Sequence, residues 1–530
     1  MNSILFKIIR IAPVILVACG CMKNSTKHAA APKSFRYAIR TNPTTLDPAH
    51  VIDLETLNLH RQIYEGLVGW NSRSKIIPKF AKSWKVGNGG KEYLFTLNKA
   101  VRFSNGRLAT AHDVKWSIER NCSQGLASPI AKNFFSNIVG AQLYMNGKAP
   151  EISGIKVVSP YKLKILLESP RIFFLGKLAH PIAAILDRKK VPFDQPISSP
   201  DKSVSIAPFY IKSYIKDQLI SLYANSYYHA GIPEINKIEI PVIKDAVSCL
   251  NKYKAGELDL TYVQSPEVPH LRKDPKYSKH LRIQPTCSLL YLGLNRELYP
   301  PFKLKAVRRA FAMSIDRRHI MNNILNHAHL PAYGLIPQHV MGHRMHTRLP
   351  SYDPIEAKYN LKSAGFNSEN PLPPLKLTLI GKSPAAQKCA EAIAIQLQQN
   401  LGVNIQLQKL EMSAFYQKRN HKDLAFFLTG WMPDYLDPEN FVSALIKSDS
   451  PYNYMKYKNL VLDQLCREAD SCQDQEKRLK LYAHAEDIAL KEVALLPIYF
   501  FRDVELINPK VKGLGHSLFG HLPYSRVYFK

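Results

Sequence analysis

The chain has 530 residues, 46% of them apolar, which is enough for several buried cores and excludes a disordered or low-complexity polymer. Its 72 lysines and arginines outnumber 42 acids, for a formal charge of +30. The basic residues are scattered, with no zinc-finger spacing and no RNA-binding aromatic signature beside them. Composition therefore indicates no nucleic-acid partner, and attraction to an anionic membrane surface is the simpler account.

At the start, Lys7 and Arg10 form a cationic head before the short apolar run from Ile11 to Ala18. Charge, apolar run and a small-residue cut site together read as a secretory signal, and the run is too short to span a bilayer. Leu16-Val17-Ala18-Cys19 resembles a lipobox, whose cysteine becomes acylated and is the first mature residue. Cys19 is the expected lipidation site, and Cys21 is the weaker alternative because Ala18 would then stand where a lipobox has leucine. Residues 1–18 read as the signal peptide and 19–33 as a lipidated tether. No later apolar run is long enough to cross a membrane.

Globular sequence begins near Phe35. Tyr93, Phe95 and Leu97 alternate with Leu94, Thr96 and Asn98 as in a half-buried strand. Thr110 and Asp113 resemble a capping box that opens a helix through Val114 and Ile118. Residues 319–346 hold six histidines, and His339, His343 and His346 would share a face if that segment were helical. Pro331 and Pro337 mark it instead as an irregular, solvated loop, so no metal site is assigned. Leu375, Leu377 and Leu379 alternate. Ala390, Ile393, Leu397 and Leu401 then follow at helical spacing, Gly402 stops the helix, and Val403, Ile405 and Leu407 alternate again. Strand, helix and strand at that length predict a βαβ unit in a mixed α/β protein. Gly513 to Gly520 fits neither a nucleophile elbow nor a phosphate loop and reads as a plain loop. Catalytic signatures are absent, so no enzyme and no cofactor is expected. The cysteines at 122, 249, 287, 389, 466 and 472 have no metal-ligand spacing. Cys466 and Cys472 are near enough to pair, with connectivity left open.

Several stretches resemble the extracytoplasmic solute-binding proteins that serve ABC importers of oligopeptides, dipeptides and nickel. They include Arg61-Gln62-Ile63-Tyr64-Glu65-Gly66-Leu67, Tyr93 to Leu97, Val101 to Gly106, Thr110 to Val114, and Ala255-Gly256-Glu257-Leu258-Asp259. Val307-Arg308-Arg309-Ala310, Ser314-Ile315-Asp316-Arg317 and Gly430-Trp431-Met432-Pro433-Asp434 continue the match in the family's order over nearly all of the mature chain. The resemblance implies a periplasmic-binding-protein-like fold: two α/β lobes, two crossing segments and an inserted α+β domain in the first lobe. Lobe one would take residues 34–68, 205–285 and 502–530, the inserted domain 69–204, and lobe two 286–501. It also implies a monomer, at the periplasm or outer face of the cell membrane, that encloses a peptide and docks on an ABC permease. Nickel, haem or a metal chelate is the alternative cargo on the same fold. A signalling or chaperone-like role is a third reading.

In peptide-binding relatives the acid of the G-W-x-x-D motif, here Asp434, meets the ligand's α-ammonium. The backbone beside Trp431, at Gly430 and Met432, pairs with the extended peptide. Glu55 or Thr56 falls where relatives present acidic and main-chain groups, and Arg419 matches a basic residue aimed at the ligand's carboxyl-terminal half. Without the resemblance, Trp431 reads as core, Asp434 as a turn residue, Glu55 as a helix-start acid and Arg419 as a surface cation. The family's glycine-containing crossing strand reads Ser205-Ile206-Ala207-Pro208-Phe209 here. Met432 replaces a cysteine that could partner Cys287, and Leu428 stands where relatives have arginine.

Overall fold

The computed structural model describes residues 34–381 and 383–530, so Cys19, Cys21, the signal run and the tether lie outside the described residues. Alternation builds the sheets. Tyr93, Phe95 and Leu97 are buried along the strand Glu92–Leu97 while the residues between them stay partly exposed. That strand belongs to a four-stranded antiparallel sheet in the order Ala81–Gly87, Glu92–Leu97, Lys162–Leu166, Ile155–Ser159. The helix Ala111–Cys122 opens on the expected box, with the Asp113 carboxylate accepting from the Thr110 N–H (3.0 Å) and hydroxyl (3.1 Å). This part has its own apolar cluster around Phe95, Phe103 and Phe135.

A second sheet runs Ser34–Arg36, Lys237–Pro241, Leu219–Ala224, Phe209–Ile215 and backs a cluster around Phe35, Leu59 and Ile238. The largest sheet runs Leu260–Tyr262, Leu496–Ile507, Leu281–Leu294, Phe426–Trp431, Leu375–Ile380, Ile405–Leu410. Within it Leu375–Ile380 and Ile405–Leu410 pair in parallel, joined by the helix Pro384–Leu401 that buries Ala390, Ile393 and Leu397. Gly402 ends that helix at φ +71, a left-handed turn that glycine adopts without a Cβ clash. The fold is thus two α/β lobes with a smaller α+β part.

Leu281–Leu294 and Leu496–Ile507 are the long crossing strands, paired antiparallel from Leu281 opposite Leu506 to Leu292 opposite Leu496. Their ladder breaks between Pro285 and Leu289. There the Cys287 N–H turns to the Leu518 carbonyl (2.8 Å), and the Thr286 hydroxyl donates to the Phe501 carbonyl (3.0 Å). Ser205–Phe209 is not one of these crossings, which corrects the expectation for it. It leads from the Phe95 cluster, where Val204 and Ile206 are buried, to the Phe35 cluster, where Phe209 begins a strand.

One other reading changes, and the irregular histidine segment stands. The Gly513–Gly520 run is a hairpin, His516–Ser517 against Gly520–His521, rather than a plain loop. His339 has φ +68, which breaks any helix through His339, His343 and His346. Among the described residues no group of three or more His, Cys, Asp or Glu could hold a metal ion, and no helix is long and apolar enough to cross a membrane. The six described cysteines are free, Cys466 buried and Cys472 just past the helix Leu460–Ser471.

Arg120 and Asp47 are both wholly buried and pair through two contacts of 3.1 and 2.5 Å. Burial raises the Asp47 carboxyl, but the guanidinium outweighs it and the net shift is downward. Removing one partner strands a buried charge. Arg120→Met should therefore lower the unfolding free energy by about 3–5 kcal/mol. A urea titration should show that loss, and the double variant with Asp47→Leu should recover much of it.

Candidate functional site

The strand Phe426–Trp431 is buried from Phe426 through Thr429 and emerges at Gly430. One side pairs with the crossing strand, from Trp431 opposite Leu289 to Phe426 opposite Leu294. On the other side Phe426 and Phe427 meet Leu375–Ile380, and from Leu428 to Trp431 no strand lies against that edge among the described residues. Unpaired backbone on such an edge is a template for an added strand. Gly430 keeps the approach open, since even a Cβ there would stand 3.8 Å from the Phe501 ring.

Past the strand, one asparagine fixes the turn. The Trp431 indole N–H donates to the Asn440 carbonyl (2.8 Å), and the Asp434 N–H donates to Asn440 Oδ1 (3.0 Å). Asp437 takes Arg478 Nη1 (2.9 Å) and the Glu439 N–H (2.9 Å). The Asp434 backbone is therefore held rigidly, while its carboxylate has no hydrogen-bond or ion-pair partner among the described residues. Burial pushes that carboxyl up to about 6, against the opposing pull of the Lys177 ammonium. The side chain keeps partial solvent contact, so it sits at the floor of a recess rather than in a sealed core.

The facing wall comes from the helix Phe174–Leu178 and its flanks. Phe173 stacks on Tyr435 with centroids 5.3 Å apart and planes 6° from parallel. Lys177 Nζ lies 5.5 and 5.6 Å from those two rings and donates to the Asn133 carbonyl (2.6 Å). Gly176 permits this approach, since a Cβ there would meet Tyr435 Cβ at 2.9 Å. Arg171 Nη1 reaches the Asp470 carbonyl (3.1 Å), and the Asn133 amide donates to the Tyr452 hydroxyl. The two walls of the cleft touch.

Arg419, in the last turn of the helix Met412–Asn420, is stacked between Tyr416 and Tyr454 (4.7 and 4.6 Å), with Nη1 on the Thr429 hydroxyl (3.3 Å). The strand thus brings Arg419, Gly430, Trp431, Met432 and Asp434 into one region. Glu55 and Thr56 lie apart from it. The Glu55 carboxylate accepts from the Thr41 N–H (2.9 Å) and hydroxyl (2.7 Å), and the buried Thr56 Oγ1 accepts from the Thr44 N–H (2.9 Å). Sequence reasoning missed Phe173, Lys177 and Tyr435. No local pattern marks them, because only domain docking brings residues 173–177 onto 431–435.

The raised Asp434 carboxyl makes a stability prediction. In the unfolded chain it titrates near about 4, so its ionisation in the fold is opposed, and the penalty grows as pH rises from there to about 6 and stays above it. Asp434→Asn should therefore raise the melting temperature of the ligand-free protein at pH 8 and leave it nearly unchanged at pH 4. Thermal denaturation at both pH values checks this, and an equal shift at both would contradict it.

The pattern described as bacterial extracellular solute-binding proteins, family 5 Middle, matches residues 75–453. The chain is 30% identical over 511 residues to the probable deoxycholate-binding periplasmic protein YgiS of Escherichia coli, covering 94% of this chain and 93% of that one. It is 28% identical over 497 residues to the periplasmic oligopeptide-binding protein OppA of Salmonella typhimurium, covering 92% and 90%. Among solved structures, the Escherichia coli murein tripeptide binding protein MppA superposes with a TM-score of 0.83 at 26% identity, covering 94% and 99%. An unliganded open form of MppA gives 0.74 at the same identity, and the poorer agreement fits a cleft whose walls are in contact. The chain belongs to family 5 of the bacterial extracellular solute-binding proteins, which serve ABC importers.

Proposed function

We propose that the protein captures oligopeptides between its lobes and delivers them to an ABC permease, working in the periplasm or at the outer face of the cell membrane. One observation carries this reading: the open edge Leu428–Trp431 ends beside a desolvated acid that has no partner of its own among the described residues. An extended peptide added to that edge bonds through its main chain and so is bound without reading side chains. Its α-ammonium then reaches Asp434, where a charge-assisted hydrogen bond supplies the missing counter-charge. Relatives named for oligopeptides and murein peptides, at 28% and 27% identity, support the same cargo.

In this proposal the moving bodies are lobe one (34–68, 205–285, 502–530) with the inserted domain (69–204), and lobe two (286–501). The separate apolar clusters around Phe35, Phe95 and Phe426 support that division. Arg419 serves the carboxyl-terminal half of the ligand, whereas Glu55 and Thr56 act by holding residues 41–44 on their helix. YgiS is named for deoxycholate, an amphiphilic carboxylate without an ammonium. An ionised Asp434 repels such a ligand, so the peptide reading is preferred.

Asp434→Ala and N-acetylation of the peptide should each weaken binding by about 3–5 kcal/mol, and together by far less than the sum. Calorimetry on the four combinations measures this. Tight binding of acetylated peptide by the unaltered protein would remove the ammonium clamp and favour a metal chelate or amphiphile instead. Affinity for the free peptide should also fall as pH drops through about 6, because the proton then competes with the ammonium for Asp434.

Membrane attachment is proposed to depend on acylated Cys19. Cys19→Ser should leave uncut precursor or release soluble protein, and unchanged partitioning into detergent would assign the anchor elsewhere.

A further inference from the structure

A second recess lies on the lobe-one side of the crossing strands, a cavity of about 70 Å³ whose lining includes Arg61, Glu65, Trp70, Lys79, His180 and Phe519. Arg61 is in the last turn of the helix Leu54–Ile63. Its Nη1 donates to Asn58 Oδ1 (2.8 Å) and to the Phe519 carbonyl (2.7 Å), and its plane lies 5.4 Å over the Phe519 ring. Nε and Nη2 have no partner, and no carboxylate forms an ion pair with Arg61, among the described residues. Burial pulls its pKa down to about 10, although the side chain keeps some exposed surface. The two facts agree if that surface opens on the recess and not on bulk water.

An unpaired cation in such a place is unusual, because charges leave water only when paired. The buried Arg120 and Arg478 each have an aspartate, and Arg308 has three backbone carbonyls. Around the recess the other charges are already matched. Glu65 pairs with Lys79 (2.8 Å) and His229 (2.5 Å) and also accepts from the Tyr228 hydroxyl (2.9 Å). His521 pairs with Glu505 (2.7 Å), and Asp503, an acid whose charge favours that of Arg61, is bonded to His516 (3.0 Å). His180 is kept neutral by burial, which lowers its pKa to about 3, and its Nδ1 accepts the Ile182 N–H (3.2 Å). Arg61 is the cation left over.

We infer that the Arg61 recess is a subsite for a carboxylate of the bound ligand. The volume suits a carboxylate, and the free Nε and Nη2 form the side-on fork that binds one through two parallel bonds. An aromatic wall connects the recess to Asp434. Trp70 packs on Phe519 with centroids 5.3 Å apart, and its Cζ2 would lie 3.6 Å from a Cβ on Gly176, the residue that abuts Tyr435. A zwitterion along that wall meets the unpaired acid at one end and the unpaired base at the other. The inference rests on the peptide reading for the source of the carboxylate, which is either the chain terminus or an acidic side chain.

The test is calorimetry with alanine-only peptides of two to five residues, as free acids and as C-terminal amides, on wild type, Arg61→Gln and Arg61→Lys. Amidation should weaken wild-type binding on the order of a hundredfold. Arg61→Gln should bind both forms equally and weakly, and Arg61→Lys should fall between. If only an amide bearing one glutamate regains affinity, and only with Arg61 present, the source is the side chain. Undiminished discrimination in Arg61→Gln, or none in wild type with either carboxylate, overturns the subsite. Should wild type bind no peptide at all, the peptide reading fails and sodium acetate decides the subsite separately. Acetate that raises the melting temperature of wild type more than that of Arg61→Lys keeps it, and equal shifts remove it. The acetate arm and Arg61→Lys also decide the matter if Arg61→Gln does not fold.

Discussion

The two lobes of this fold are joined through the two crossing strands, Leu281–Leu294 and Leu496–Ile507. A sheet strand cannot leave its backbone groups unbonded when buried, so a bend between lobes needs substitute partners at the point where the ladder opens. Here the substitutes come from the C-terminal hairpin, whose Leu518 carbonyl takes the Cys287 N–H, and from Thr286, whose hydroxyl reaches the Phe501 carbonyl. The hairpin is fixed to one crossing strand by His516 on Asp503 and His521 on Glu505. Its Leu518 N–H also donates to the Ser74 hydroxyl (3.2 Å). The hairpin thus closes the break in the ladder and also builds one side of the Arg61 recess.

Charge placement near the cleft separates structure from site. Asp437 is matched by Arg478, and Asp470 accepts from both the Tyr482 and Ser443 hydroxyls (2.7 Å each). Those acids hold the fold together. Asp434 has the same dry surroundings without a partner among the described residues, and its carboxyl rises accordingly. A folded protein tolerates a few such groups because its stability is a sum over many contacts, and they are expected where binding supplies the missing partner. The Trp431–Asn440 turn matters for this reason. It holds the backbone of Asp434 in place, so on the proposed reading little ordering remains to be done on binding.

Much of the architecture was legible because local rules agree with the tertiary result. Alternation found the strand through Tyr93, Phe95 and Leu97, Thr110 and Asp113 found a helix start, and the 375–407 pattern found a parallel unit. The G-W-x-x-D motif led to the end of the strand Phe426–Trp431, just past which the carboxyl of Asp434 is raised by burial. Legibility failed where the outcome depends on segments far apart in sequence. Nothing near Phe173 or Lys177 says that they will face Tyr435, and Arg61 reads as an ordinary helix cation until the C-terminal hairpin closes over it. Pro331 and Pro337 mark the histidine segment as irregular, and the positive φ of His339 agrees with them. Ser205–Phe209 misled for a second reason: an extended, buried segment looks the same whether it joins the two lobes or joins the Phe95 and Phe35 clusters.

The raised carboxyl of Asp434 and a strong grip on an ammonium have one physical origin. Withdrawing water from an acid makes its empty, ionised form less favourable, and the same withdrawal strengthens its attraction to a cation that arrives. On the proposed reading that withdrawal is set by how closely Phe173 and Gly176 approach Tyr435, the contact that lobe closure would make or break. On the proposed reading, opening the lobes therefore does two things together. It rehydrates Asp434, which lowers its attraction for the ammonium, and it frees the strand edge Leu428–Trp431 along which the peptide lies. Capture and release then need no separate switch, because one change in solvent access weakens the charge contact and exposes the backbone contacts at once.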